Sequence, residues 1–205
     1  MSEPRGGRPR ASLDALEPVL QRRLASVIEE GREIWHRFDE DVRRRAFHPF
    51  VPADYDRVLP KLVALQAAGT RFLEWGSATG VIAIMADMLG FEAYGIELDR
   101  ELVAMARDLA RRHGSGARFA VGSFLPTGYR YRPRDGDGRL GTIGLGPSGY
   151  GELGHPLEDF DVVYAYPWSG EEPIMRDVMR AYGAPHARLI LHDVDEGGAP
   201  PAPPR

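Results

Sequence analysis

The chain contains no cysteine among its 205 residues. This absence excludes disulfide-stapled scaffolds, zinc sites built on thiolates and cysteine nucleophiles. Long apolar runs are also missing: Val81–Ala86, one of the longest, ends at Asp87, whereas a membrane helix needs about 18 apolar residues. The N-terminal segment MSEPRGGRPR has no apolar core of the kind that a secretory signal requires. We therefore expect a cytoplasmic protein without a membrane partner.

Lysine is almost absent, since Lys61 is the only one, and the formal net charge is −4. Arginines cluster at Arg43–Arg45 and around Arg132, but such clusters are more often solvated surfaces than phosphate sites. The composition therefore gives no strong signal for nucleic-acid binding. The six histidines show no spacing typical of metal ligands, so no metal site is predicted.

Glycine and proline are abundant, with 24 and 17 residues, and their distribution divides the chain into regions. Polar, Gly/Pro-rich composition predicts disordered tails at 1–11 and 197–205. Apolar residues at helical spacing predict amphipathic helices in an N-terminal helical region at 12–69. The remaining residues, 70–196, are predicted to form one α/β domain.

Residues 70–196 alternate short apolar runs with helical stretches, which is typical of βα units stacked in a parallel sheet. Strands are predicted near 71–75, 92–97, 117–122, 161–166 and 187–192. Three helices are predicted. The first spans 79–89 and ends at Gly90, the second begins after Asp99 as its N-cap, and the third spans 171–182. The fold class is therefore α/β, with a doubly wound, mostly parallel sheet of about five strands preceded by N-terminal helices.

The segment 127–158 interrupts this alternation. Its 32 residues include nine glycines and show no sustained period of either kind. A connection this long without secondary structure is either disordered or a functional lid over a site. Its tyrosines and arginines leave both interpretations open.

A glycine-containing turn joins the first predicted strand to a helix. Gly76 permits a tight turn and close approach of a ligand to the backbone, and the helix N-terminus offers unpaired N–H donors. This arrangement is typical of nucleotide-like ligands. The dinucleotide fingerprint G-x-G-x-x-G fails twice, because Glu74 and Thr79 stand where its first and third glycines would be. A nicotinamide-dependent oxidoreductase is therefore a less favoured alternative.

The segment Phe72–Gly80 instead ends in Glu-x-Gly-x-x-x-Gly. This pattern resembles the first motif of the class I, Rossmann-like S-adenosylmethionine-dependent methyltransferases. The segment Gly95–Asp99 resembles their second motif, in which an acidic residue ends the second strand. Val121–Phe124 and Phe160–Trp168 look like the third and fourth.

The resemblance implies an enzyme that binds S-adenosyl-L-methionine and methylates an acceptor of unknown class. The residues that it implies for the cofactor are Glu74, Gly76, Ser77, Gly80, Glu97, Leu98, Ser123 and Phe124. In this scheme Glu97 holds the ribose hydroxyls, and Ser123 and Phe124 lie near the adenine. Tyr166, Pro167 and Trp168 are expected to wall the methyl-transfer pocket.

The sequence departs from the family pattern in two places. Ala165 stands where amino-group methyltransferases have an amide or carboxylate, so methylation of a nucleic-acid base is not predicted. The chain ends some ten residues after the last predicted strand, where a complete sheet has two more, so a sheet truncated at its C-terminal end is expected. Its unpaired edge at 187–192 favours cover by the N-terminal helices or a homodimer. A non-catalytic binding domain of the same fold stays the main alternative.

Two further segments carry weaker signals. His48–Tyr55 resembles a Pro/aromatic approach strand that often covers the methionine end of the cofactor in this family. His192 and Asp193 end the fifth strand on the side where open α/β sheets bind ligands, but an ordinary surface pair is the favoured interpretation. Tyr164 and Tyr166 alternate along the fourth strand, which is equally typical of core residues.

Overall fold

The structure is a computed structural model of the chain, and it describes residues 15–43, 50–66, 69–131, 141–168 and 170–192. The helices are α1 (Pro18–Phe38), α2 (Tyr55–Leu65), α3 (Val81–Met88), α4 (Arg100–Arg112), α5 (Tyr150–Leu153) and α6 (Glu172–Tyr182). The strands are β1 (Arg71–Trp75), β2 (Glu92–Glu97), β3 (Arg118–Val121), β4 (Val162–Ala165) and β5 (Arg188–Leu191). A π-helical turn, Asp39–Arg43, follows α1, and a 3₁₀ turn, Leu157–Asp159, precedes β4.

The five strands form one sheet in the order β3-β2-β1-β4-β5. Every neighbouring pair is parallel, as expected when helical connections return the chain to the same edge. The predicted doubly wound sheet is confirmed, and each predicted strand end lies within one residue of the observed one. The strand order reverses between β1 and β4, and open α/β sheets bind ligands beyond the carboxyl ends of the strands at such a reversal.

Side chains that alternate along the strands supply a separate core on each face of the sheet. On one face, Phe72 and Tyr164 pack with residues of α1, α2, α3 and α4. On the other face, Leu73, Trp75 and Val163 pack with residues of α5 and α6. Because helices cover both faces, the central strands are apolar along most of their length.

The helix ends follow the local chemistry that the sequence predicts. Asp99 caps α4, since its Oδ1 accepts hydrogen bonds from the N–H groups of Glu101 at 2.7 Å and Leu102 at 3.3 Å. Gly90 follows α3 with a φ of 94°, a left-handed conformation that glycine adopts without a Cβ penalty. Both predicted helix boundaries are therefore confirmed.

The N-terminal helical region contains α1 and α2, which both pack against α3. Leu24 of α1 and Leu62 of α2 are each 1% exposed, so these helices belong to the core. The predicted tails at 1–11 and 197–205 lie outside the described residues, and the domain boundaries stay predictions. None of the helices in the described ranges is long and apolar enough to cross a membrane.

Strand β5 lies at one edge of the sheet. In the described part of the chain it pairs with β4 alone. Cover of this edge by the N-terminal helices stays a prediction.

The turn before α3 should tolerate no side chain at Gly80. Its φ is 75°, and a Cβ there would lie 2.5 Å from the Phe119 ring and 2.9 Å from the Ala106 Cβ. Because overpacking adds to the left-handed penalty, we expect Gly80→Ala to lower the free energy of unfolding by about 2–4 kcal/mol. Urea denaturation measures this loss.

Gly90→Ala is the matched control. Gly90 also has a positive φ, but a Cβ there would meet nothing within 4 Å. This variant should lose only about 1 kcal/mol. Equal losses in the two variants would contradict the close packing of the turn against Phe119.

Candidate functional site

The turn after β1 uses three residues in the left-handed region. Gly76, Ala78 and Gly80 have φ values of 67°, 44° and 75°. Ala78 is the one non-glycine residue with positive φ among those that the structure describes, and such conformations concentrate at ligand sites. The N–H groups of Gly76 and Ser77 both donate to the Ile96 carbonyl, at 2.9 and 3.0 Å. These bonds hold the turn against the carboxyl end of β2.

Glu74 lies beneath this turn and is 5% exposed. Its Oε2 accepts a hydrogen bond from the Ala83 N–H at 3.0 Å, so it caps the first turn of α3, whose N-cap residue Gly80 has no side chain. Burial raises the pKa of Glu74 well above its ordinary value, the Ala83 bond opposes this shift, and the nearby Glu97 adds to it. The buried Glu74 side chain therefore stabilises the turn from the core side.

Glu97 joins the two turns at the carboxyl ends of β1 and β2. Its Oε2 accepts from the Ala78 N–H and its Oε1 from the Asp99 N–H, each at 3.0 Å. Burial raises the pKa of Glu97, while these backbone N–H donors act in the opposite direction. Leu98, the next residue, is 36% exposed and borders the crevice beyond the carboxyl ends of β1 and β2. The structure thus brings Glu97 and Leu98 beside the glycine turn.

The third predicted motif follows β3 and contributes one polar and one apolar residue. Ser123 is buried, and its hydroxyl donates to the Gly144 carbonyl at 2.7 Å. Phe124 is also buried, and its ring stacks on Trp75 with centroids 4.7 Å apart. Phe124 therefore faces the core, and Ser123 contacts Gly144, which belongs to the segment 141–149 that crosses the carboxyl ends of the strands.

Ser77 is buried as well, at 3% exposed. Its hydroxyl has no hydrogen-bond partner among the described residues. A Cβ on Gly95 would lie 2.7 Å from the Ser77 Oγ, so the side chain packs over β2. Close packing of the turn onto the sheet therefore depends on glycine at position 95.

The residues after β4 form the far wall of the crevice. Tyr166 and Trp168 are partly exposed there, and Pro167 is buried between them along the chain. A small cavity of about 30 Å³ is lined by Tyr164, Tyr166, the β1 turn and the segment 50–53. The described residues of the approach segment thus line this cavity together with the β1 turn, and their predicted role over the methionine end of the cofactor stays a prediction.

His192 differs from its predicted environment. It is 3% exposed, its Nδ1 is hydrogen-bonded to the Tyr164 hydroxyl at 3.0 Å, and its ring lies 4.7 Å from that of Tyr166. The surface interpretation was therefore wrong for His192, because Tyr164 and Tyr166 enclose it. Asp193 lies outside the described residues. Tyr164 itself is buried, as a core residue would be.

The sequence missed Glu171 and the residues that it binds. Its carboxylate accepts from three backbone N–H groups, those of Thr142 at 3.2 Å, Ile143 at 2.9 Å and Trp168 at 2.8 Å. Burial raises its pKa, and these three N–H donors oppose the shift. Glu171 is one of two adjacent glutamates at the start of α6, whose first residue is Glu172, so nothing in the sequence distinguished it.

Comparison with known proteins gives a consistent picture. The chain is 38% identical over 63 residues to the ribosomal protein L11 methyltransferase of Thermus thermophilus, a match covering 29% of this chain and 25% of that protein. It thus spans about a quarter of that relative's length. A solved RNA methyltransferase from Salinibacter ruber, in complex with S-adenosyl-L-homocysteine, aligns with a TM-score of 0.50 and 20% identity over 70% of this chain and 78% of that one. The chain has the class I methyltransferase fold.

A second solved structure, precorrin-6y C5,15-methyltransferase from Geobacter metallireducens GS-15, aligns with a TM-score of 0.48 and 14% identity over 73% of this chain and 68% of that one. No family model matches the chain. The resemblance predicted from the sequence is confirmed for the class I methyltransferase fold. In the described ranges of this fold, no group of three or more His, Asp and Glu side chains could hold a metal ion.

The buried Glu74 of this methyltransferase fold should make stability depend on pH. Its pKa is raised in the folded state, so above about pH 4.5 the folded chain keeps a proton that the unfolded chain has released, and stability falls as pH rises through that window. Glu74→Gln keeps an oxygen acceptor for the Ala83 N–H but does not titrate. We expect it to lose less stability than the parent between about pH 5 and pH 8.

Urea unfolding at several pH values measures the difference. Glu101→Gln, on the exposed side of α4, is the control and should follow the parent profile. Parallel profiles for Glu74→Gln and the parent would show that Glu74 ionises normally in the fold.

Proposed function

We propose that the chain is an S-adenosylmethionine-dependent methyltransferase. The observation that carries this proposal is the position of Glu97, which joins the left-handed turn after β1 to the end of β2 through hydrogen bonds from Ala78 and Asp99. Two carboxylate oxygens at this point suit the two hydroxyls of a ribose. Gly76, which has no side chain to fill the crevice, permits close approach of a ligand. The residues present therefore fit the cofactor.

Each predicted residue has a definite task in this proposal. S-adenosyl-L-methionine, when bound, supplies an electrophilic methyl group on a sulfonium. Glu74, Gly76, Ser77 and Gly80 shape the turn, Glu97 holds the ribose, and Leu98 and Ser123 flank the adenine. Phe124 fixes the position of Ser123 by stacking on Trp75. Tyr166, Pro167 and Trp168 exclude water and orient the acceptor, and aromatic faces favour cationic centres.

The class of the acceptor stays open. The relatives above are named for a ribosomal protein and for RNA, and the candidate acceptors for this chain are a small molecule, a protein side chain and a nucleic acid. Methylation of a planar base amino group is disfavoured, because Ala165 at the end of β4 offers no side-chain acceptor. The net charge of −4 also gives no general attraction to nucleic acid. We propose a cytoplasmic location.

A non-catalytic binding domain of the same fold is the second candidate. Two observations favour it: the missing acceptor at Ala165, and the segment around Thr142 and Gly144 that contacts the predicted cofactor residues Gly76 and Leu98. Such a domain would bind the cofactor without turnover. Formation of S-adenosylhomocysteine in the presence of a protein or RNA extract distinguishes the two candidates.

Ligand-induced thermal stabilisation tests the proposed cofactor. A ligand at a hundred times its Kd adds about 2.7 kcal/mol of stability, so S-adenosylmethionine and S-adenosylhomocysteine should both raise the Tm, whereas NAD should not. Glu97→Gln keeps one acceptor oxygen and loses the charge, and we expect its Kd to rise by at least about tenfold because one charged hydrogen bond contributes 1.5–3 kcal/mol.

Glu92→Gln is the matched control, because Glu92 lies at the opposite end of the same strand. Its ligand-induced shift, measured from its own apo Tm, should equal that of the parent. No shift with either sulfur ligand would refute the proposed function. A shift with NAD alone would support the oxidoreductase alternative instead.

We further propose a homodimer through the edge of β5. The N–H groups of Arg188 and His192 point toward β4, where they donate to backbone carbonyls, so the alternating N–H groups of Leu189 and Leu191 face away from β4. Light scattering should give twice the chain mass, and hydrogen exchange should show protection of Leu189 and Leu191. A monomer in which these two amides exchange freely would exclude the dimer.

A further inference from the structure

Residues 141–149 cross the carboxyl ends of the strands, and we call this segment the strap. It belongs to the connection 127–158, for which the sequence predicts either disorder or a functional lid. Ser148 of the strap forms a parallel bridge with Ser123 after β3. The Ser123 N–H donates to the Pro147 carbonyl at 2.8 Å, and the Gly149 N–H donates to the Ser123 carbonyl at 2.9 Å. One end of the strap is therefore fixed to the sheet like a short strand.

The other end of the strap lies on the glycine turn. The Thr142 Cγ2 is 2.6 Å from the position that a Cβ on Gly76 would take, so its methyl group occupies the space that glycine leaves open. The Thr142 hydroxyl donates to the Tyr166 carbonyl after β4. Thr142 thus bridges the two strands between which the sheet order reverses.

The strap also contacts Leu98 and Ser123, two of the residues predicted to bind the cofactor. Leu98 Cδ1 lies 1.9 Å from the position of a Cβ on Gly144, so a side chain at position 144 would require Leu98 to move. The Gly144 carbonyl accepts the Ser123 hydroxyl at 2.7 Å. Both Leu98 and the Ser123 hydroxyl, which were predicted to contact the cofactor, therefore contact the strap instead.

Glu171 latches the strap in this position. Its carboxylate receives the N–H groups of Thr142 and Ile143 from the strap and that of Trp168 from the loop after β4. Charged acceptors form stronger hydrogen bonds than neutral ones. The Ile143 side chain is 8% exposed and packs in the core on the α6 side of the sheet.

A small cavity lies on the side of the glycine turn that faces the segment 50–53. The cavity beside the glycine turn has a volume of about 30 Å³, whereas pockets for cofactors and drug-sized ligands measure roughly 300–1,000 Å³. The Thr142 methyl group over Gly76 and the contact of Gly144 with Leu98 place the closed strap where a nucleoside bound at the proposed site would lie, so the two compete for the same crevice.

We propose that the strap is an autoinhibitory element: Thr142 and Gly144 occupy the crevice in place of the adenosine portion of the cofactor, and Glu171 holds the strap there. This inference rests on the proposed function. The cofactor then binds only molecules in which the strap has opened. The apparent Kd equals the intrinsic Kd divided by the open fraction, so loosening the strap tightens binding.

Calorimetric titration with S-adenosylhomocysteine tests the competition. Thr142→Gly removes the methyl group over Gly76 and the hydrogen bond to Tyr166, and Glu171→Ala removes the latch. We expect the Kd to fall by roughly tenfold or more in both variants, because each raises the open fraction. Leu145→Ser is the control on the same strap: the Leu145 side chain is 66% exposed, and its replacement should leave the Kd unchanged.

Hydrogen exchange of the parent chain gives a second readout that does not require activity. If the ligand displaces the strap, the Ile143 amide loses its bond to Glu171 and exchanges faster when S-adenosylhomocysteine is added. Slower exchange at Ile143, or an equal or weaker affinity in the two strap variants, overturns the autoinhibitory role and leaves the proposed function standing.

The remaining outcomes separate the two proposals. Binding by Thr142→Gly and Glu171→Ala, with none detected for the parent, supports both. No binding of S-adenosylhomocysteine by the parent or by either variant overturns the proposed function, and the strap proposal with it. Circular dichroism of each variant verifies that the fold is retained before titration.

Discussion

The left-handed turn between β1 and α3 is the constraint on which the crevice depends. Its positive φ angles at Gly76, Ala78 and Gly80 reverse the chain within a few residues. The reversal lets two N–H groups reach the Ile96 carbonyl and a third reach Glu97. One stretch of backbone, residues 76–80, thus positions the start of α3, the end of β2 and the floor of the crevice. Positive φ makes any side chain larger than hydrogen unfavourable at its first and last positions.

Two buried carboxylates stabilise this turn at an electrostatic cost. Glu74 and Glu97 lie close enough for the charge of one to raise the pKa of the other, and burial raises both. Backbone N–H groups of Ala83, Ala78 and Asp99 compensate part of the desolvation. A core built only for stability would use apolar residues at such positions, and carboxyl groups with a raised pKa beside a crevice are characteristic of functional sites.

Much of this architecture could be predicted because its causes are local. Strand and helix periods, the Asp99 cap and the Gly90 stop all act within a few residues, and the structure agrees with each. The position of Glu97 also followed from spacing, since one helix and one strand separate it from Gly76. The prediction that His192 lies at the surface was wrong, because its burial depends on Tyr164 and Tyr166, which belong to a neighbouring part of the sheet.

The sequence by itself determined the α/β class, the strand bounds and the residues that meet at the carboxyl edge, because periodicity and turn chemistry are properties of short segments. Only the tertiary structure decided what covers that edge. The contacts of Thr142 with Gly76, Gly144 with Leu98, and Glu171 with the strap join residues distant in sequence. Such contacts leave no periodic signal, since they arise when a glycine-rich segment packs across strands that the fold has already brought together.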